Sequence, residues 1–254
     1  MTTLRSMFQM GVSCGCVGVW MFTLQAAAAA DPVLPHQPSP KVGDKAEYRL
    51  TMQIEPTGRP GSKVEISEKY LIQTTQAAQN SYTQRVNFSL THVIIASRDS
   101  DILAMMPIIT LKHGASGDCK ASAEGGSAES NPDVLGAIQQ VVVMPEALKA
   151  YRSSSSATSW HIDFDNTNLM IGGHHLAGEA KQIGSERVAD RDTIKIGFTA
   201  ESPGKPGEES MKIEGYVNLD AKTGQLVHMH QSGAGMFAGG TAKVAMDVVI
   251  EGKR

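Results

Sequence analysis

Cysteine is scarce: the 254 residues contain three, Cys14, Cys16 and Cys119. The first two lie in an amino-terminal segment that reads as removable, so Cys119 is the single thiol of the mature chain. No intramolecular disulfide is then possible, which excludes the small disulfide-stapled scaffolds. Positive charge is lacking too. Lys and Arg number 23 against 26 Asp and Glu, a formal net charge of −3, and nothing argues for the clustered basic surface that nucleic acid requires. After residue 31 no apolar run approaches the ~20 residues of a membrane-spanning helix. What is present is an ordinary globular composition, 41% hydrophobic, in a chain long enough to bury a sizeable core, so disorder is excluded.

Residues 1–30 read as a secretory signal. Arg5 stands in a short basic region, an apolar stretch runs over about residues 7–24, and the alanines of residues 26–30 offer small-residue cleavage sites. Loss of Arg5 leaves 22 basic against 26 acidic residues, a net charge of −4. A lipoprotein signal would need Leu or a similar residue three places before its cysteine, and Gly11-Val12-Ser13-Cys14 has glycine there. The expectation is cleavage near Ala30 and a periplasmic or secreted product. Residues 31–43, with Pro32, Pro35, Pro38 and Pro40, form a linker.

Strict alternation then begins. Ala46, Tyr48, Leu50, Met52 and Ile54 point one way, while Glu47, Arg49, Thr51, Gln53 and Glu55 point the other, the period of a half-buried strand. A second strand sets Val64, Ile66, Tyr70 and Ile72 against Glu65, Ser67 and Lys69. A third places Tyr82, Val86, Phe88, Leu90 and Ile94 inward, with His92 on the same face. Short turns between them make an antiparallel meander. Later strands show Trp160, Ile162 and Phe164, then a hairpin over about 175–183 and 192–201, and Met211, Ile213, Val217 and Leu219. The last presents Ala242, Val244, Met246, Val248 and Ile250.

The middle is less regular. Residues 102–111 are apolar and contain Met105-Met106-Pro107, and residues 114–130 are small and polar, a low-complexity loop. Asn131-Pro132-Asp133 is a helix start, with Asn as cap, Pro in the first turn and an acid beside it. Val134, Leu135, Ile138, Val141 and Val142 follow at helical spacing, so residues 131–152 are expected to form a helical insertion. The predicted fold is mainly β with some helix (α+β), in a single domain over residues 44–252. It is a strongly curved antiparallel sheet or incomplete β-barrel of eight to ten strands, with the helical insertion packed on the concave face. Met105, Met106, Leu135, Ile138, Val142 and Met144 are the candidate lining and lid of an apolar cavity, since methionine suits adaptable hydrophobic surfaces.

Catalytic motifs fail in turn. His228 and His230 lie two apart on a strand and project from one face about 7 Å apart, which makes them the candidate metal ligands. Zinc needs three or four ligands, and no cysteine pair or carboxylate at ligand spacing accompanies them. Asp163-Phe164-Asp165-Asn166-Thr167-Asn168 begins like a calcium loop but lacks glycine at its sixth position and Glu at its twelfth. Asp190-Arg191-Asp192 reads as a charged hairpin turn. Cys119 sits beside Lys120 without a histidine partner evident in sequence. The expectation is a protein that is not an enzyme and holds no cofactor.

The opening strand Lys41-Val42-Gly43-Asp44-Lys45-Ala46-Glu47-Tyr48-Arg49-Leu50 and the hairpin Gly215-Tyr216-Val217-Asn218-Leu219-Asp220-Ala221-Lys222-Thr223-Gly224-Gln225-Leu226 resemble uncharacterised exported bacterial β-proteins with a D-x-x-T-G-x-L hairpin. Their fold is compared with that of the lipoprotein carriers LolA and LolB. The resemblance implies a half-barrel with an apolar concavity and a lipid, a lipoprotein or another envelope protein as partner. It implies no catalytic residue.

Overall fold

The computed structural model describes residues 40–58, 62–79, 81–114, 119–125, 159–166, 174–202, 210–237 and 240–252. Among them are twelve strands, all in one antiparallel sheet. The first half comprises β1 (Lys45–Pro56), β2 (Val64–Ala78), β3 (Ser81–Ile95), β4 (Arg98–Asp101), β5 (Ile108–His113) and β6 (Cys119–Glu124). The second comprises β7 (Ser159–Asn166), β8 (His174–Val188), β9 (Arg191–Ser202), β10 (Met211–Asp220), β11 (Leu226–Phe237) and β12 (Gly240–Gly252). Across the sheet the order is β6-β5-β3-β2-β1-β12-β11-β10-β9-β8-β7, with β4 also on β3. The chain therefore starts at the middle, steps out to one edge, resumes at the opposite edge and steps back until its last strand pairs with its first. The sheet is open, since β6 and β7 end it without pairing to each other.

Alternation of apolar and polar residues dictates which face each side chain takes. One face carries a single hydrophobic core running from Leu50, Met52 and Ile54 on β1 to Ile196, Phe198 and Ala200 on β9 and Ile162 on β7. The opposite face is charged. There, Arg49 and Lys69 both pair with Glu251, the latter at 3.0 Å.

Several expectations need correction. Twelve strands replace eight to ten, because β4 is short and because β6 occupies part of the 114–130 stretch read as a loop. Alternating Cys119, Ala121 and Ala123 there pair with His113, Leu111 and Ile109 of β5; small side chains serve an edge strand as well as they serve a loop. Among the described residues the only helical turn is Leu103–Met105. The helix read at 131–152 lies outside the described residues, as do the signal and most of the linker.

A second correction concerns β3. Lys69 opposes Leu90 and Tyr70 opposes Phe88, so Ser89 is an extra residue, a bulge that reverses the alternation. Beyond it Leu90, His92 and Ile94 face the same way as their neighbours Lys69, Ser67 and Glu65, onto the polar side, and Thr91 turns into the core, 0% exposed. His92 is accordingly no core histidine; its Nδ1 lies 3.0 Å from Asp99 Oδ1. The turn between β8 and β9 is also shifted by one residue from the reading. Ala189 and Asp190 take positive φ, 47° and 60°, and Arg191 already opens β9.

The D-x-x-T-G hairpin works through side-chain capping. Asp220 Oδ1 accepts from the Lys222 and Thr223 amides at 2.9 and 2.8 Å, and Gly224 takes φ of +65°, which glycine adopts without strain. Farther up β10, Gly215 has a different task. A Cβ there would strike the His230 carbonyl oxygen and come within 2.8 Å of Phe198 Cζ. Gly215→Ala is expected to lower stability by roughly 2–3 kcal/mol through this overpacking, read as the midpoint of urea unfolding. Gly252→Ala, where a Cβ meets nothing within 4 Å, should leave the midpoint nearly unchanged.

Candidate functional site

Strand pairing aligns one row of side chains across eight strands of the core face. Gln182, Ile196, Val217, Met229, Val248, Leu50, Glu68 and Thr91 oppose one another in succession from β8 to β3. The five central residues are at most 1% exposed. Both ends are polar, and among the described residues Gln182 Oε1 and Thr91 Oγ1 are buried with no hydrogen bond, as is Asn218 Oδ1 of β10. A buried hydroxyl or amide left so costs more than one that is paired.

Glu68 interrupts the apolar stripe of β2, between Ile66 and Tyr70, with Leu50 on one side and Thr91 on the other. Part of its side chain reaches solvent, yet loss of water around the carboxyl pushes its pKa up to about 7. No basic side chain among the described residues offsets this; the adjacent Lys69 points to the other face, onto Glu251. One row along, Tyr48 stacks on Tyr70 with ring centroids 5.5 Å apart, and Tyr70 meets Phe88 at 5.9 Å. Burial pushes the Tyr48 phenol up to about 12. It pushes that of Tyr70 well above the usual phenol range too, with Tyr48 and Glu68 adding to the effect. The Tyr48 hydroxyl donates to the Leu226 carbonyl at 3.1 Å, tying β1 to β11 across β12.

The cavity residues read from sequence are placed only in part. Met105 ends the turn Leu103–Met105, and Met106 is half-buried just after it. Leu135, Ile138, Val142 and Met144 lie outside the described residues. Sequence reasoning passed over Glu68 and Thr91. A signal for Glu68 existed: Val64, Ile66, Glu68, Tyr70, Ile72 and Thr74 share one phase of β2, and a carboxylate in that phase is the anomaly. Thr91 had none, because the bulge turns it inward.

His228 and His230 project together from β11 onto the polar face. His230 Nδ1 lies 2.9 Å and His228 Nε2 3.4 Å from the same Asp247 Oδ1, so a carboxylate does accompany them, supplied by β12. Tyr216 stands between the rings, edge-on to His228 and stacked on His230, with Lys195 Nζ 4.1 Å above its centroid. Among the described residues no group of three or more His, Cys, Asp and Glu side chains is arranged to hold a metal. Cys119 also gains a histidine: His113, opposite it in register, brings Nε2 to 3.9 Å from Sγ. The same nitrogen also lies 3.1 Å from Gln84 Oε1.

No protein-family model and no curated protein matches the sequence. Among solved structures, lipovitellin, described for its lipid–protein interactions, superposes with a TM-score of 0.50 at 9% identity over 84% of this chain. The match takes in 26% of the lipovitellin chain, so this chain spans about a quarter of its length, and the likeness is one of fold alone. The hypothetical lipoprotein YmcC of Escherichia coli K12 gives a TM-score of 0.29 at 13% identity, over 80% of this chain and 83% of that one. A DUF1329 family protein of Desulfovibrio piger gives 0.22 at 9%, over 82% and 86%. Those two TM-scores carry no argument.

The raised pKa of Glu68 has a definite sign. Folding favours the protonated form, so the stability present below the unfolded value of 4.5 is lost as pH rises toward about 7. Glu68→Gln is therefore expected to stabilise the protein at about pH 8 by roughly 1–3 kcal/mol, allowing for the partial exposure of the carboxyl. At about pH 4 the two proteins should unfold at the same denaturant concentration. An equal difference at both pH values would show that the carboxyl is hydrated.

Proposed function

We propose that the protein is exported and holds a hydrophobic chain, from a free amphiphile or a lipidated envelope component, on the core face of its sheet, without catalysing a reaction. The observation that carries this reading is the row from Ile196 to Leu50, apolar over five strands and at most 1% exposed, so a chain would lie along it by displacing what covers it. A chain laid along it would gain about 0.8 kcal/mol for each buried CH₂. Open sheets of this strand number usually curl, which would bring the apolar residues of one face toward one another. The lipid association of lipovitellin, with which the sheet shares its fold, supports the same reading, as does the resemblance of the D-x-x-T-G hairpin to exported β-proteins.

Export and ligand are tested together by mass spectrometry of the protein recovered from the periplasm of a Gram-negative host. The denatured mass should correspond to a chain beginning near Asp31. The native mass should exceed it by several hundred daltons, lost on denaturation. A native mass equal to that of the bare polypeptide would overturn the carrier reading in favour of an interaction module with a filled core, and an excess of one metal ion would return attention to His228 and His230.

A further inference from the structure

The sheet is open, and its two edges differ in how their charges are met. On β7 the carboxylate of Asp163 is already held by His175 at 3.0 Å. β6, at the other edge, leaves its charges unanswered. Cys119, Ala121 and Ala123 lie half-buried on the core side of that strand, and Lys120, Ser122 and Glu124 are exposed on the other. Lys120 stands directly opposite Lys112 of β5, a like-charge pair that costs stability. Glu124 stands opposite Ile108. Among the described residues neither Lys120 nor Glu124 makes an ion pair. Four residues apart on one strand, roughly 13 Å, they do not meet each other.

We infer that β6 is the docking edge for a second copy of this chain, whose own β6 pairs with it antiparallel across a two-fold axis at Ser122. Both core faces stay on one side only if residues of the same phase oppose each other. The axis must then pass at a residue, not between two. Two such registers overlap five positions of the strand. With the axis at Ala121, Lys120 meets Ser122 and Glu124 passes beyond the end of the partner strand. With the axis at Ser122, Lys120 of each copy opposes Glu124 of the other, and Ala121 opposes Ala123. The charges select the second register. An unrelated strand has no reason to carry that spacing, whereas a second copy always does.

A lysine on a free edge ordinarily discourages pairing with stray strands. Here a glutamate four residues on turns that deterrent into a selector, because only a strand with an acid at the matching position neutralises the charge. The interface is isologous. Each copy contributes the outward N–H and C=O groups of β6 and covers the half-buried Ala121 and Ala123 of the other. Two ion pairs on one short strand make a small interface, so the dimer is weak and concentration-dependent. It leaves both faces of the sheet uncovered and does not rest on what the core face holds.

Sedimentation equilibrium of the full exported chain should show a monomer–dimer equilibrium that weakens with added salt. Lys120→Glu and Glu124→Lys should each raise the dissociation constant at least about tenfold, since either sets like charges across the axis twice. An equimolar mixture of the two variants should restore association as a heterodimer, with circular dichroism as the check that each folds. Single-thiol variants locate the axis. In a Cys119→Ala background, Ser122→Cys should crosslink rapidly under copper–phenanthroline oxidation, because its two copies face each other within disulfide reach. Ala121→Cys should crosslink slowly. Native Cys119, its copies roughly 20 Å apart along the paired strands, should not crosslink. A chain that stays monomeric to about 1 mM, a dimer unmoved by the charge variants, or faster crosslinking of Ala121→Cys than of Ser122→Cys would overturn the assignment.

Discussion

The pairing of the first strand with the last holds the sheet together. β1 and β12 exchange ten register positions, from Glu47 opposite Gly252 to Pro56 opposite Ala242. Every other neighbour in the sheet is a short step along the chain or belongs to one of the two meanders that this pairing joins. Without it there would be two half-sheets, each exposing the backbone groups of a long edge strand. Closing a loop that spans almost the whole domain costs entropy that local hairpins do not incur, and folds dominated by such contacts form slowly. On the core face the seam is apolar throughout: Leu50 on Val248, Met52 on Met246, Ile54 on Val244.

The same seam makes the candidate site continuous. Its apolar track runs from Ile196 through Val248 to Leu50, and only the β1–β12 register brings Val248 beside Leu50. At the far end a single extra residue, Ser89, decides the chemistry. Because it reverses the alternation of β3, a threonine rather than Leu90 stands opposite Glu68. Bulges recur where a protein must re-aim a side chain, and here the result is two polar groups side by side at the end of an otherwise apolar row. Among apolar neighbours a carboxyl and a hydroxyl lose hydration that nothing described on that face replaces.

The polar face follows a different rule. Its charged and aromatic groups find one another: Lys195 pairs with Glu186 at 3.0 Å, Glu186 accepts from Asn218 at 2.8 Å, and Asp247 serves both His228 and His230. These groups meet across strands as cross-strand neighbours usually do, although Asn218 Oδ1 is itself buried without a hydrogen bond among the described residues.

The amino-acid order by itself determined that the chain is mainly β, and it did so strand by strand. Ala46 to Ile54, Met211 to Leu219 and Ala242 to Ile250 alternate with the period that a half-buried sheet imposes, and the apolar residues in the inward phase, among them Leu50, Val217 and Val248, are buried, while Val249 in the other phase is exposed. Turn chemistry was legible for the same reason, since Asp220 and Gly224 act within their own hairpin. Strand order, the β1–β12 seam, the bulge at Ser89, and the meetings of His228 with Asp247 and Cys119 with His113 were decided only by tertiary structure. Alternation is a property of one strand and carries no address for its neighbour. It also cannot register one extra residue in β3 until pairing with β2 sets the count. Glu68 stands between the two cases: its place in the apolar phase of β2 was written in the sequence, but what it faces was settled only when β1 and β3 closed around it.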